Sequence, residues 1–407
     1  MKARLLLAAL LCCAAAAQAD TGGRLRATWT DPQASGAGPL AAAESLQPGI
    51  APSPAAAGAL EAELRASGHG LTAVATLQEE RIEGDRWRAH GWFNELYGAP
   101  AAGAWQLAAG KRVVAWDVGY AFRPNDFVQQ SARRTLLPCT DEGRPLAMAE
   151  WFDASTAFTL VAVNPTHERS ARGALEPALA ARVYRREGAA DWHGFARWGA
   201  RTRGSLGGAL AWVADEATEV HASLRWLDAA DTKTLDPEAQ GLVATNPWRE
   251  TAVRHAVQAL AGGTWTSADQ LSLLAEAWWD GTAPSDAQWD AWNGRNGELL
   301  GFVATPAPRA AVAGNLAWQA EALQASSSLR RANLYARLSW THERWEPALD
   351  LLVTPADGGR VVTASLGWQA DRVRVDLAWR RYGGPARTVL AQLPSKSVAA
   401  ASLAWSF

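Results

Sequence analysis

His221 and Ser223 stand two apart in "HAS", and a period of two would place both on one face of a strand. A serine nucleophile also needs a base oriented by a third group, and the chain has no G-x-S-x-G turn to lift a serine clear of a sheet. The 7 histidines fall at positions 69, 90, 167, 193, 221, 255 and 342, with no H-E-x-x-H pair and no cysteine–histidine cluster. Neither a catalytic residue, nor a metal site, nor a cofactor is expected. The formal net charge is −2, and losing Lys2 and Arg4 with an N-terminal leader makes it more acidic, so no basic footprint for nucleic acid exists.

What the chain offers instead is charge at alternate positions. In "VRVDLAWR", Val373, Val375, Leu377 and Trp379 oppose Arg374, Asp376, Ala378 and Arg380, and in "EVHASLRW", Val220, Leu224 and Trp226 oppose Glu219, His221 and Arg225. "WEPALDLLV" and "NLYARLSW" add Glu346, Asp350 and Arg337 to the polar set. Both signs occur, which suits a water-filled or salt-bridged interior, and for any one of these residues a cross-strand ion pair is the simpler role than a solute ligand. The loop near 117–145 carries Arg123, Asp126, Arg133, Arg134 and Arg144. Two readings are open: it folds inward and narrows a passage lined also by Arg374, Asp376 and Arg380, or it is an exposed loop of solvated arginines.

The elements that must position these charges are strands. After the N-terminal "MKARLLLAALLCCAAAAQAD" no apolar run reaches the roughly 18 residues of a membrane helix. That first segment has Lys2 and Arg4, an apolar stretch and an A-x-A site, so residues 1–19 are expected to be a cleavable signal peptide and 20–407 one barrel. Cys139 is then the remaining cysteine, which excludes an internal disulfide framework. Connections alternate in length. "QADR", "THER", "PAPR", "ADEAT", "EGAA" and "DAST" read as tight turns, against long loops near 31–58, 117–145, 164–179, 228–250, 280–297 and 383–396. Strands of alternating character, with "TGGRLRATW" and "ELLGFVAT" as weak ones, predict an all-β fold: a single transmembrane antiparallel up-and-down β-barrel of about 18 strands (roughly 16–20). No repeat of propeller length appears.

Tryptophan supports the same reading, since the chain has 22 tryptophans and only 5 tyrosines. The pair L-x-W recurs at Leu210/Trp212, Leu224/Trp226, Leu316/Trp318, Leu338/Trp340, Leu366/Trp368, Leu377/Trp379 and Leu403/Trp405. An indole is a large apolar ring with one N–H that seeks a wet partner, so it suits the two levels where hydrocarbon meets headgroups. Trp226 and Trp379 are expected at the long-loop rim, and Trp212, Trp340, Trp345, Trp368 and Trp405 at the short-turn rim. In the last strand Ala401, Leu403, Trp405 and Phe407 share one face.

That final pattern resembles the C-terminal strand signal of Gram-negative outer-membrane proteins, and the whole of 20–407 resembles the outer-membrane porin class. A narrower likeness lies in "GKRVVAWDVGYAFRPNDFV", which is similar to a strand and following loop of alginate-export and related substrate-specific porins. The resemblance implies an outer-membrane location, lipid contact over the apolar face, recognition of Phe407 by the barrel-assembly machinery, and passive diffusion of small hydrophilic solutes. The alternative is a barrel occluded by its loops that serves as an enzyme or as a structural component of an export system.

Overall fold

The computed structural model describes residues 20–51, 53–129, 134–164 and 176–407. The expected leader and Arg133 lie outside the described residues. The strands are β1 (Asp20–Ala34), β2 (Ala57–Gly68), β3 (Leu71–Ile82), β4 (Arg88–Gly98), β5 (Trp105–Arg112), β6 (Arg144–Phe152), β7 (Thr156–Val163), β8 (Ala178–Glu187) and β9 (Ala190–Gly199). They continue with β10 (Arg203–Val213), β11 (Thr218–Leu235), β12 (Trp248–Thr266), β13 (Leu271–Asp280), β14 (Ala332–Trp340), β15 (Trp345–Thr354), β16 (Gly359–Gln369), β17 (Val373–Gly383) and β18 (Ser395–Ser406). The two-residue segment Ala101–Ala102 prolongs β4 beyond a break at Ala99 and Pro100, and pairs with β5. Each strand pairs antiparallel with its neighbours in the chain, and β1 pairs with β18 from Arg24↔Ser406 to Ala34↔Ser395, so the 18-strand sheet closes. A closed sheet leaves no edge to desolvate, which is what lets strands cross hydrocarbon.

The alternation sets the faces. On β17, Leu377 points outward at 49% exposure while Asp376 points inward at 8%. Trp212, Trp340, Trp345 and Trp405 stand outward at or next to strand ends on the rim of short turns, with Trp368 half-buried opposite Trp345. Trp340 Nε1 donates to the Asp269 carbonyl of the adjacent turn at 2.9 Å, the polar partner an interfacial indole needs. Trp226 and Trp379 also face outward, further along β11 and β17. Turns on the short rim are tight because their residues permit it: His69 and Gly70 both take positive φ, 51° and 76°, as a two-residue hairpin requires. Phe407 is half-exposed and exchanges two backbone hydrogen bonds with Gly23, at 2.9 and 3.0 Å. Its ring lies where a Cβ on Gly23 would be, 2.4 Å from Cζ, and packs tilted against Trp405 with ring centres 5.0 Å apart.

Three expectations change. "ELLGFVAT" is not a strand; it ends α2 (Asp286–Gly301; α1 is Pro39–Leu46) and continues as a 3-10 turn. Ser285 and Gln288 form a reciprocal capping box, and Trp289, Trp292 and Leu299 recur at helical spacing on its buried face. Gly294, Gly297 and Gly301 obscured that period, since glycine is a poor helix former. "PAPR" joins helices rather than strands, and Leu316/Trp318 sits at the end of α3 (Arg309–Ala317), so one loop runs over 281–331. The loop read at 228–250 is shorter, because β11 and β12 rise past their outer neighbours as a ribbon, pairing from Leu227↔Ala256 to Leu235↔Trp248. At the long-loop rim Leu40 and Ala43 of α1, Leu299 of α2, and Val312 and Leu316 of α3 form a buried cluster that ties loop 35–56 to loop 281–331.

Candidate functional site

Between β5 and β6, residues 113–129 and 134–143 of loop 113–143 lie inside the barrel along its inner wall. Three acidic or amide side chains fold the first part. Asp126 Oδ1 accepts the N–H groups of Trp116 and Asp117 at 2.9 and 3.0 Å, and Asp117 Oδ2 accepts the Asn125 N–H at 2.5 Å. Asn125 Nδ2 donates to Ser223 Oγ at 2.7 Å and to the carbonyls of Gly208 and Leu224 at 3.2 Å, while Ser223 Oγ donates to Asp117 Oδ1 at 2.7 Å. Asn125 fits because Gly207 lacks a side chain; a Cβ there would lie 1.8 Å from Asn125 Oδ1. Arg225 donates to the Pro124 carbonyl at 2.9 Å with its guanidinium 4.4 Å from the Phe127 ring centre. Phe127 and Trp116 pack on Phe195 of β9.

The second station is Glu276 on β13, buried at 3% exposure. Its carboxylate accepts the Tyr120 N–H at 2.6 Å and the Ala121 N–H at 2.7 Å, and His221 Nε2 lies 3.0 Å away with Glu219 at 3.1 Å from Nδ1. Trp278 stacks on Phe122 and lies 5.2 Å beneath the Arg134 guanidinium, and Tyr120 stacks on Tyr335 of β14. Further round, Arg380 on β17 donates to the Arg134 carbonyl at 2.7 Å and to Thr363 Oγ1 at 2.9 Å. On β1, Arg26 donates to the Pro138 carbonyl and Arg24 to Thr140 Oγ1 at 2.6 Å, each also paired with a glutamate of β2. The Gly143 N–H returns to the Asn94 carbonyl of β4 at 2.8 Å. The loop thus makes a circuit of the wall, held by polar contacts that a water-filled interior alone would not fix.

This placement divides the residues singled out by sequence. Asp126, 4% exposed, and Arg123, which donates to the Gly119 carbonyl at 2.7 Å, turn into the loop's own fold. Arg134 and Arg380 come together; below them Arg337 pairs with Asp350 at 2.9 Å, and Arg374 spans Glu346 and Asp376 at 2.7 and 2.9 Å. Arg144, at the foot of β6, is 1% exposed. His221 and Ser223 serve separate sockets of the loop, so the pair has the geometry of a clamp and not of a nucleophile with its base. Among the described residues no group of three or more histidine, cysteine or acidic side chains could hold a metal ion. Sequence reading missed Glu276, Asn125 and Asn94. Glu276 was within reach, since in "LSLLAEAWWD" it shares a parity with Leu274 and Trp278, a lone carboxylate on that face between them.

Three of the cavities that adjoin the loop share lining residues in series. A chamber of about 650 Å³ on the long-loop side lies between loop residues Asp126 to Gln129, the β11–β12 ribbon and Ser327. A second, about 260 Å³, shares Ser327 with it and is lined by Arg134, Arg380 and Tyr335. A third, about 300 Å³, shares Asp350 and Thr363 with the second and reaches Thr341 at the short-turn rim. At the chamber's edge sits Glu176. Burial alone would push its carboxyl up, but hydrogen bonds from Thr202 and the Arg201 N–H, with the Arg197 guanidinium, outweigh it and hold the carboxyl below its ordinary value.

No protein-family model and no curated protein sequence matches this chain. Among solved structures, OccK5 (OpdH) of Pseudomonas aeruginosa superposes with a TM-score of 0.53 at 8% identity, covering 96% of this chain and 97% of that one. A substituted form of the Rhodopseudomonas blastica porin superposes at 0.45 and 11% identity, over 96% of this chain and 100% of that one. At such identities the likeness is one of fold: the chain has the closed antiparallel barrel architecture of OccK5.

Proposed function

We propose that the protein is an outer-membrane channel for passive diffusion of small hydrophilic solutes, exported by a leader over 1–19, with its passage squeezed between loop 113–143 and the wall β14–β17. The observation that carries this reading is the series of three adjoining cavities running from the chamber among the long loops to Thr341 on the opposite rim. Its support is physical. A wall apolar outside and ionic inside belongs in a bilayer around water.

In this reading the tryptophans anchor the barrel to headgroups at its two rims, and Phe407 closes the sheet at the level where assembly machinery would engage it. Arg134 and Arg380 set the narrow part, where two arginines lining one cavity disfavour cations. The test is single-channel recording of purified protein in planar bilayers. Ion conductance is expected, with a reversal potential that moves toward cation preference when Arg134 and Arg380 are both replaced by alanine. A folded barrel without conductance would sink the channel reading and leave the occluded alternative.

A further inference from the structure

The chamber at the mouth of the route has a composition of its own. Its charged side chains are met by protein groups: Arg201 by Asp231, Lys233 by Glu321, and Arg197 by Glu176 at 3.2 Å. Asp126 is met by Arg123 at 3.4 Å and by two backbone N–H groups. Arg225 is turned into the wall, 8% exposed, against the Pro124 carbonyl, Ser205 and the Phe127 ring. Glu250 stands exposed on the outer lip. Between these pairs the polar lining is hydroxyl and amide, including Thr202, Thr251, Thr282 and Gln258, and it is interleaved with apolar side chains such as Phe127 and Leu227.

We infer that this chamber is a recognition site for a neutral polyhydroxylated solute, of the size of one or two sugar rings. The inference rests on the channel reading and names its substrate class. Its volume of about 650 Å³ lies within the range of about 300–1,000 Å³ usual for small-molecule sites. A charged solute entering here gives up hydration and meets ions already paired with both signs nearby, so it gains no countercharge. A polyol gives up less: Thr202, Thr282 and Ser327 already donate their hydroxyl protons to Glu176 and Asp280, so what they offer is oxygen lone pairs, which the hydroxyls of a polyol meet as donors. Charge balance and hydroxyl density thus select for the neutral solute against its acidic and basic relatives.

The experiment is current block in planar bilayers with glucose, sucrose, gluconate and glucosamine added on the long-loop side. Block by the neutral sugars is expected, with gluconate and glucosamine at least about tenfold weaker, a difference of about 1.4 kcal/mol. Ala230→Trp, which fills the chamber, is expected to abolish sugar block while ions still pass, and Thr251→Val to weaken it several-fold if the bulkier variant does not assemble. Asp231→Asn frees Arg201 and is expected to bring in block by gluconate, a change that a merely structural role for this pair would not cause. Ion conductance without sugar block, or equal block by gluconate in the unaltered protein, overturns the inference and leaves the channel reading standing. Absence of any conductance removes both.

Discussion

Glu276→Gln keeps the shape of the side chain that holds loop residues 118–122 to the wall and removes its charge. One carboxylate oxygen accepts from Tyr120 and His221 and the other from Ala121, so an amide in either orientation points its NH2 at a backbone N–H. One charge-assisted bond is lost, at about 1.5–3 kcal/mol, and a buried N–H is left without an acceptor, at about 1–3 kcal/mol. Allowing for relaxation of the loop, the seated state should lose about 2–4 kcal/mol, which is roughly a 30- to 1,000-fold rise in the unseated population. Asn125 and Arg380 clamp the flanking parts independently, so the loop is expected to flicker locally and not to leave the barrel. Single-channel traces should therefore show new fast current noise, while unfolding of the barrel in urea is unchanged because the strand pairing is untouched. A variant with the current noise and ion selectivity of the unaltered protein would refute the claim that Glu276 fixes the loop.

Leu377→Arg puts a charge on the lipid face and should cost about 2–4 kcal/mol in urea titrations of vesicle-inserted protein, whereas Asp376→Asn loses part of its bonds to Arg374 and Ser402 and should cost about 1 kcal/mol. Equal costs would mean the two faces are exchanged. Deleting Phe407 removes two barrel-closing hydrogen bonds and the ring over Gly23, so the yield of membrane-inserted protein should fall with no change in the conductance of molecules that do insert; normal yield would contradict this. Because the Glu176 carboxyl is held below its ordinary value, its stabilising contribution is complete above about pH 4.3 and is lost as pH falls through the lower, folded value. Hydrogen exchange at the Arg201 and Thr202 amides, corrected for intrinsic rates, should lose protection progressively as acid protonates Glu176, at a pH below the ordinary glutamate value of about 4.3; protection that stays constant after Glu176→Gln would show that Glu176 does not hold them.

The barrel was legible because its signal is repeated on every strand: Val373 to Trp379 against Arg374 to Arg380 is one instance of a pattern that the closed sheet then enforces across its neighbours. The helices were not, since α2 spends three of its positions on glycine and buries indoles that read equally well as a strand's outer face. Which loop charges face open space could not be read either. Arg123 is spent on the Gly119 carbonyl and Asp126 on the Trp116 and Asp117 N–H groups, inside the loop's own fold, whereas Arg134 meets Arg380, which lies far along the chain. Parity told which residues look inward, but the loop decides which of them see water.

The sockets of loop 113–143 lie on both sides of it in the chain. Arg26 precedes its partner Pro138 by 112 residues, while Arg380 follows Arg134 by 246. Contacts of such separation are slow to form, since each demands closure of a long chain segment before it gives anything back. The wall that carries Ser223, Glu276 and Arg380 must be zipped up to β17 before the loop has anywhere to dock. Maturation should therefore run in two kinetic phases, strand closure first and loop docking second. In the proposed channel, a newly made barrel is wide and unselective in the interval, and the narrow passage is a property that each molecule acquires only once its sheet has closed.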